Sequence, residues 1–485
     1  MRKLIFAARR RWLSQSLRNE GDAAWAAWRN GLWSYRLYQQ SLREKWLRRA
    51  FQVLVVMDGV WSGEVTIPGV PALQPFDAAA SAADSSAAKT AGGKIIEGLH
   101  DPIERSFLRL LLAARAAQTY NDLALANAIF DLEAPGPEAN LEWLFLSTAL
   151  GPPDADDRRI MAELLTHARM PKSRVLNVWL RSSWLFDGAS NALLKEVIDI
   201  SSGLPWKETK VFLREALALA FQLDDKVIVR KLLNDHPELK DHFSSVLPLA
   251  PFMLTEGLEP STHPKSPAEY AELYEKLQQD TTSVMETIRD KRRSLAVVGN
   301  SPCERGQRRG RMIDAHDLVT RFNVFSTSEE FAADYGTKCN IHVRSLPEDE
   351  DANEFSMVSD TIVLSRADLI YRNRQWKNIL ELARSGAKLS AFPTGFHQGL
   401  YKKLGGAPSS GIAFCALVKQ ERGVLSRASC FGFAFVDQIG AKRTSAHYFR
   451  DARPSFSHQW KREKEMFDEL TSSSPGHEDA TAAGL

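Results

Sequence analysis

The sequence predicts two fold classes in succession: an all-α N-terminal region, then an α/β domain whose mostly parallel sheet has helices on both faces. Between residues 97 and 257, apolar residues recur at three- and four-residue steps, the period of a helix that buries one face. From residue 294, short β-branched runs alternate with helical patterns, which is typical of a covered parallel sheet. A length of 485 residues suits two or three such domains.

Composition excludes several classes of protein. The chain has 62 Lys and Arg against 60 Asp and Glu, so its net charge of +2 gives no global reason to expect nucleic-acid binding. No segment reaches the roughly 18 apolar residues of a membrane span. Four cysteines in 485 residues do not make a disulfide framework, and their spacing is not that of a zinc site. We therefore expect a soluble protein of a reducing compartment.

The first 66 residues read as a basic, Trp-rich helical segment. Residues 1–50 contain twelve Lys and Arg, three acidic residues and five tryptophans, for a local charge of +9. Such a segment suits the headgroup region of an anionic membrane. The alternative is an ordinary helical hairpin whose tryptophans pack in a core. Arg9, Arg10 and Arg11 interrupt the apolar stretch that a signal peptide needs, so secretion by that route is not expected.

Changes of composition divide the rest of the chain. An Ala/Ser/Gly-rich stretch predicts a flexible linker, the helical periodicity predicts a bundle or solenoid, and a Pro-rich stretch precedes a long polar helix. The small, polar C-terminus predicts a disordered tail. The predicted segments are 1–66 (basic helices), 67–96 (linker), 97–257 (helical domain), 258–292 (linker and connecting helix), 293–470 (α/β domain) and 471–485 (tail).

Ligands of parallel sheets bind beyond the carboxyl ends of the strands, where the sequence places polar residues. Gly299-Asn300-Ser301 follows the first predicted strand, and Asn323 closes the next motif. Ser409-Ser410-Gly411 precedes an apolar helix, whose N-terminus suits an anion, although a plain Ser cap is the common alternative. The other predicted strands are residues 340–346, 361–367, 387–393 and 429–435.

Two histidines complete the candidate set. His447 begins the sequence His-Tyr-Phe, and His458 precedes Glu463 by five positions on a charged helix. A single histidine of this kind is more often a cap or a surface residue than a catalyst. The information lies in the order and spacing of the set.

That set resembles the sialyltransferase family, glycosyltransferase family 29, over about residues 294–470. The motifs that carry the resemblance are, in order, AVVGNS, IDAHDLVTRFN, DYGTK, Pro-Ser-Ser-Gly before a helix, His-Tyr-Phe, and His-x4-Glu. The resemblance implies a Rossmann-like sheet of the GT-A-variant type and an inverting transfer from a CMP-sugar donor to a glycan or glycolipid. It also implies that no metal or other cofactor is needed.

The resemblance also assigns roles to residues. On the catalytic side, His458 is the implied general base, Glu463 its companion, and His447 lies near the donor phosphate. The implied donor-binding residues are Asn300 at the phosphate, Ser301 beside it in the sequence, and Asn323, which closes the long motif. They also include Ser409, Ser410 and Gly411 near the cytidine and ribose, and Phe431 and Gly432 along the cytidine.

Several departures from the family bear on compartment and donor. Leu295 and Lys419 occupy the positions of a disulfide found in secretory members, and Ala407 replaces a common aromatic residue. These features, and the absence of an anchor, predict a cytoplasmic enzyme of bacterial type, peripheral at the inner face of the membrane. Its pathway is protein glycosylation or polysaccharide biosynthesis. The donor is CMP-sialic acid or CMP-Kdo. The alternative of another class is a non-catalytic, CMP-sugar-binding interaction protein.

Overall fold

The computed structural model has an all-α N-terminal region and a C-terminal α/β domain, which confirms the predicted fold class. The residues that it describes are 20–41, 44–51, 53–54, 58–120, 122–132, 137–150, 153–167, 170, 172–202, 206–262, 266–345, 359–365, 369–372, 379–380, 383–384, 386–393, 395–435, 447–449 and 458–472. None of the helices in these ranges has both the length and the apolar character to cross a bilayer.

Helices fill the N-terminal region, and a 3-10 helix, Pro237–Ser244, interrupts their series. The α-helices are α1 Glu20–Ser41, α2 Glu44–Phe51, α3 Asp58–Trp61, α4 Gln74–Ser81, α5 Ser85–Glu97, α6 Pro102–Thr119, α7 Leu123–Phe130, α8 Pro137–Leu150, α9 Ala155–Thr166, α10 Lys172–Asp187, α11 Asn191–Ser202, α12 Trp206–Gln222, α13 Lys226–Asp235, α14 Leu249–Thr255 and α15 Ala268–Arg289.

Aspartates start many of these helices. The side chains of Asp84, Asp101, Asp122, Asp154 and Asp225 accept hydrogen bonds from backbone amides in the first turns of α5, α6, α7, α9 and α13. Each carboxylate satisfies amides that lack a partner within the helix and faces the positive end of the helix dipole. The short polar breaks of the sequence are therefore helix starts.

The predicted flexible linker at residues 67–96 is wrong. Helices α4 and α5 occupy most of it, with Phe76, Ala88 and Ile96 buried in the core of the helical region. Alanine is the best helix former, so an Ala-rich stretch with few large apolar residues still folds when its neighbours supply the packing. The domain boundaries themselves remain a prediction.

The tryptophans of the N-terminal segment divide between core and surface. Trp28 is buried, whereas Trp25 and Trp33 are each 36 % exposed, and Trp46 packs partly buried against the core. Trp12 lies outside the described residues. Neither of the two predictions for these residues accounts for all of them.

The C-terminal domain is built on a six-stranded parallel sheet of order β5-β4-β3-β2-β1-β6. The strands are β1 Leu295–Val298, β2 Leu318–Phe322, β3 Ile341–Arg344, β4 Thr361–Leu364, β5 Lys388–Ala391 and β6 Cys430–Phe431. Five match predicted strands, and β2 was not predicted. The chain adds strands in one direction from β1 to β5 and then returns to place β6 on the other side of β1.

Helices cover both faces of this sheet. They are α16 Gly310–Asp314, α17 Glu329–Tyr335, α18 Leu369–Arg372, α19 Phe396–Leu404, α20 Ser410–Arg422 and α21 Trp460–Thr471. Leu295 and Val297 of β1 face α20 and α21, while Ala296 and Val298 face α17. This alternation is that of a strand buried on both sides.

Helix α15 joins the two regions. Tyr270 and Leu277, in its first half, belong to the core of the helical region, whereas Met285 and Ile288, in its second half, pack on the sheet. The Asp280 carboxylate accepts a hydrogen bond from the Leu389 amide of β5 at 2.9 Å. The core of the helical region continues onto β4 and β5.

Candidate active site

The carboxyl ends of β1 and β6 meet where the direction of strand addition reverses, and we call the space beyond these ends the crevice. The Gly299 amide donates to the Phe431 carbonyl at 2.7 Å, and the Ser301 amide donates to the Gly432 carbonyl at 3.0 Å. A Cβ atom on Gly299 would lie 2.4 Å from the Gly432 carbonyl oxygen. Gly432 has a φ of +67°, so only glycine fits both positions without strain. Parallel sheets bind ligands at such switch points.

The Asn300 side chain links the end of β1 to the end of β2 by hydrogen bonds. Its Nδ2 donates to the Phe322 carbonyl at 3.0 Å and to the Val324 carbonyl at 2.9 Å. Because carbonyls only accept, both amide hydrogens are used and the orientation of the amide is fixed. The expected donation from this amide to a donor phosphate would require one of these bonds to break. The geometry therefore gives Asn300 a positioning role.

Asn323 ends β2 in the left-handed conformation, with φ of +47°. Its Oδ1 accepts from the amide and the hydroxyl of Ser345 at 2.8 and 3.0 Å, and its Nδ2 lies 3.5 Å from Ser410 Oγ. Its carbonyl oxygen is 2.6 Å from Nε2 of the buried His342. That nitrogen must donate, because the carbonyl can only accept. Burial lowers the pKa of His342 to about 4.

The N-terminus of α20 supplies hydroxyl groups to the same edge of the sheet. Ser409 caps the helix by accepting from the Ile412 amide. Ser410 Oγ lies 3.3 Å from Ser365 Oγ, and Ser365 also donates to the Arg344 carbonyl at 3.3 Å. The ends of β3 and β4 and the start of α20 thus share one hydrogen-bonded group of side chains.

Glu463 connects this helix start to His458. Its Oε1 accepts from the Ser409 amide at 2.7 Å, and its Oε2 accepts from the Ser409 hydroxyl at 2.6 Å. Oε1 also lies 3.6 Å from His458 Nδ1. Complete burial raises the pKa of Glu463, opposed by the charge of His458 and by the two bonds from Ser409.

His458 has a defined tautomer. Its Nδ1 lies 2.8 Å from the Ala407 carbonyl, which can only accept, so Nδ1 carries a hydrogen. The ring is partly exposed, with 20 % of the side chain accessible. In the neutral ring Nε2 is then the atom with a free lone pair, the arrangement of a general base held by a second group.

The position of His447 is set by a hydrogen bond of its neighbour Tyr448. The Tyr448 amide donates to the Asn300 carbonyl at 2.9 Å, which places His447 beside the end of β1. The buried Tyr448 ring stacks on Tyr335 with centroids 3.8 Å apart, and its hydroxyl donates to the Ser326 carbonyl at 2.5 Å. The His447 ring stacks on Phe449 with centroids 5.1 Å apart.

Phe431 does not line the crevice, contrary to the expectation. Its side chain is 2 % exposed and belongs to the core between the sheet and α17. The aromatic residue nearest the start of α20 is Phe433, because a Cβ on Gly411 would lie 2.9 Å from its Cε1. Phe433 stacks on Phe467 at 4.9 Å. Phe433, two positions along the chain, is thus the aromatic residue of this segment that lies beside the start of α20.

Three polar residues near these strand ends were not predicted from the sequence. Ser345 and Ser365 immediately follow β3 and β4, and Glu304 accepts from the Gly432 amide at 3.0 Å. The two serines lie within the predicted strand segments, so the rule that polar strand ends face the ligand would have found them. No comparable signal exists for Glu304, whose partner is 128 positions away.

A sequence that could bind a metal ion lies outside the described residues. Asp349-Glu350-Asp351 is an Asp-x-Asp sequence, the kind that metal-dependent sugar-nucleotide transferases use. Within the described part of the chain, no group of three or more His, Cys, Asp or Glu residues converges on a metal-sized site. Metal independence stays a prediction.

Comparison with known families identifies residues 251–359 as matching glycosyltransferase family 29 (sialyltransferase). This match confirms the resemblance and supports a sialyltransferase-like glycosyltransferase. It runs from α14 through β3 and includes Asn300 and Asn323. Ser410, His447 and His458 lie beyond it. A search of curated proteins finds no match to the chain.

Proposed function

We propose that this sialyltransferase-like glycosyltransferase moves sialic acid, or a related 2-keto sugar acid, from a CMP-sugar to a glycan or glycolipid hydroxyl. The anomeric carbon inverts, and His458 acts as the general base. The observation that carries the proposal is the bond from His458 Nδ1 to the Ala407 carbonyl, with the Glu463 carboxylate 3.6 Å from the same nitrogen.

The base step follows from this geometry. The acceptor hydroxyl gives its proton to His458 Nε2 while its oxygen attacks the anomeric carbon. The ring becomes an imidazolium, and the nearby Glu463 carboxylate stabilises that charge. The new carbon–oxygen bond forms as the bond to the donor phosphate oxygen breaks, and CMP leaves with the electron pair. A single displacement inverts the anomeric carbon.

The departing CMP needs compensation for its negative charge. The start of α20 offers the positive end of a helix dipole and the Ser410 hydroxyl, and Asn323 Nδ2 lies within 3.5 Å of that hydroxyl. His447, held beside Asn300 through Tyr448, adds a donor on the other side of the crevice. In this proposal, none of these groups requires a metal ion.

Substitution of His458 tests the base directly. Replacing it with alanine should lower turnover by about 10²- to 10⁴-fold, the usual contribution of general base catalysis, while leaving CMP binding intact. His100→Ala, at an exposed position of the helical region, is the matched control. Partial rescue by added imidazole would support the role. Undiminished turnover of His458→Ala would overturn it.

The identity of the donor requires a separate measurement. Thermal shift and turnover with CMP-sialic acid and CMP-Kdo should distinguish sialyl transfer from the alternative of Kdo transfer in bacterial surface polysaccharide synthesis. Binding of a CMP-sugar without turnover of either would favour the non-catalytic interaction protein. The presence of His458 and Glu463 in contact supports the enzyme, since a sensor does not need a base.

Cytoplasmic placement belongs to the same proposal. Leu295 and Lys419 stand where secretory relatives carry a disulfide, and all four cysteines are free thiols. A peripheral site at the inner face of the membrane would bring the enzyme to lipid-linked acceptors. Fractionation of cells into cytosol and membranes tests this placement.

A further inference from the structure

Helix α1 exposes tryptophans on one face. Trp25 and Trp33 are each 36 % exposed, and Arg29 lies between them. The three residues are spaced four apart, so they follow one another along the same side of the helix. The Arg29 guanidinium lies 5.3 Å from the centre of the Trp25 ring. We call Trp25, Arg29 and Trp33 the α1 stripe.

The opposite side of α1 is fixed in the core. Ala24, Trp28, Tyr35 and Tyr38 are at most 3 % exposed. The Tyr35 hydroxyl donates to the buried Glu142 of α8 at 2.9 Å. Burial of this side orients the helix, so the exposure of the α1 stripe follows from how α1 is packed.

Apolar and basic side chains of neighbouring elements lie next to the stripe. The Trp46 ring of α2 lies 5.8 Å from the Trp33 ring. Arg36, one turn further along α1, pairs with Asp101 at 3.1 Å, which brings the start of α6 alongside. Ile103, two residues after Asp101, is 38 % exposed. The result is an indole-rich surface in which the Arg29 guanidinium lies against the Trp25 ring and Arg36 is paired with Asp101.

We propose that the α1 stripe docks on the headgroup region of an anionic lipid bilayer. Tryptophan favours the boundary between headgroups and acyl chains, and arginine favours anionic lipid. Residues 1–50 carry a net charge of +9 in a chain whose total is +2, so the stripe belongs to a strongly basic part of the sequence, and Arg29 supplies a cation beside the Trp25 ring. The helix lies in the plane of the interface. This proposal does not depend on the donor or on His458.

The test uses the full chain and vesicles of phosphatidylcholine with or without phosphatidylglycerol, in a co-sedimentation assay. The chain should bind the anionic vesicles and release them at high salt. The double variant Trp25→Ala/Trp33→Ala should weaken this binding at least about ten-fold, since two large apolar side chains are removed. Arg29→Gln should weaken it about five-fold, the effect of one basic residue near an anionic surface.

Two exposed positions elsewhere supply matched controls. Leu254→Ala removes an exposed apolar side chain from α14, and Arg159→Gln removes an exposed cation from α9. Both should bind vesicles as the unaltered chain does. Thermal denaturation of every variant shows whether the fold is retained, and Trp33→Tyr, which keeps an aromatic ring, should lose less binding than the double variant.

Three results would overturn the proposal: equal binding to neutral and anionic vesicles, no vesicle binding at all, or undiminished binding of folded stripe variants. Absence of vesicle binding would leave a protein partner as the occupant of this surface. None of these results bears on turnover of a CMP-sugar in solution, so failure of this proposal and failure of the transferase proposal are distinguishable.

Discussion

Glu463 holds Ser409 by two hydrogen bonds, from the amide to Oε1 at 2.7 Å and from the hydroxyl to Oε2 at 2.6 Å. The same Oε1 lies 3.6 Å from His458 Nδ1. One buried carboxylate thus links His458 to the start of α20 and fixes the spacing between them.

Substitution of Glu463 should separate its two roles. Glu463→Gln keeps the shape but removes the charge that stabilises the imidazolium, so kcat should fall about ten-fold with little change in KM for the donor. Glu463→Ala also leaves the Ser409 amide without its partner and should lower the free energy of unfolding by about 1–3 kcal/mol. Steady-state kinetics and urea denaturation measure the two effects. Equal kcat for Glu463→Gln and the unaltered enzyme would remove the electrostatic role.

Ser365 should act through Ser410. Its hydroxyl lies 3.3 Å from Ser410 Oγ, and removal of that partner lets the Ser410 hydroxyl turn away from the crevice. Ser365→Ala should therefore raise KM for the CMP-sugar about three- to ten-fold, the value of one hydrogen bond. Ser202→Ala, an exposed serine of α11, is the control. An unchanged KM would show that Ser410 needs no orientation by Ser365.

The contact of Gly299 with Gly432 predicts a large effect of one methyl group. A Cβ on Gly432 would lie 2.3 Å from the Gly299 carbonyl oxygen, so Gly432→Ala must separate β1 from β6 and should cost about 3 kcal/mol or more in unfolding free energy. Gly257→Ala has a similar φ of +63° and no atom within 4 Å of its Cβ. This control should cost only about 1 kcal/mol. Similar losses from both substitutions would contradict the steric argument.

His342 should make the fold sensitive to acid. Its pKa is about 4 in the folded chain against an ordinary 6.5, so between these values the unfolded chain takes up a proton that the folded chain refuses. The free energy of unfolding should therefore fall by about 3 kcal/mol as the pH drops from 6.5 to 4. His342→Gln should flatten this dependence. Denaturation curves at several pH values measure it, and identical slopes for both proteins would refute the assignment.

Metal independence is tested by chelation. Turnover should be unchanged after treatment with EDTA, and Asp349→Asn/Asp351→Asn should retain activity, because the proposed catalysis relies on His458, His447 and the start of α20. Loss of turnover on chelation, restored by a divalent cation, would contradict metal independence, and loss of turnover in the Asp349→Asn/Asp351→Asn variant as well would implicate the Asp-x-Asp sequence. Binding of the CMP-sugar without metal then serves as the check on folding.

Sequence patterns predicted where most strands end, but they did not predict which face of the sheet each side chain occupies. The glycine turn after β1 and the serines before α20 were found because their chemistry is local. The prediction missed β2, in which the charged Arg321 is 1 % exposed. Its guanidinium donates to the carbonyls of Lys338 and Tyr335, partners that exist only once α17 has docked. Tertiary hydrogen bonds of this kind leave no mark in a hydrophobic pattern.

The wrong prediction for the Phe431 side chain, which is buried beneath α17, has a different cause. Adjacent strand residues point to opposite faces, so the face of β6 depends on its register with β1. Val298 pairs with Phe431, and both side chains turn toward α17. A strand of two residues gives too little pattern to fix that register from sequence alone.

The hydrogen bond from the Leu389 amide to Asp280 bears on solubility. An outer strand with unpaired amides is a template for another chain, and parallel sheets fold slowly enough to present it. By holding a carboxylate against the outer side of β5, α15 occupies an amide that an incoming strand would need, and Lys276 pairs with the same carboxylate at 2.8 Å. The helix that links the two regions thus also hinders the addition of another strand at this edge of the sheet.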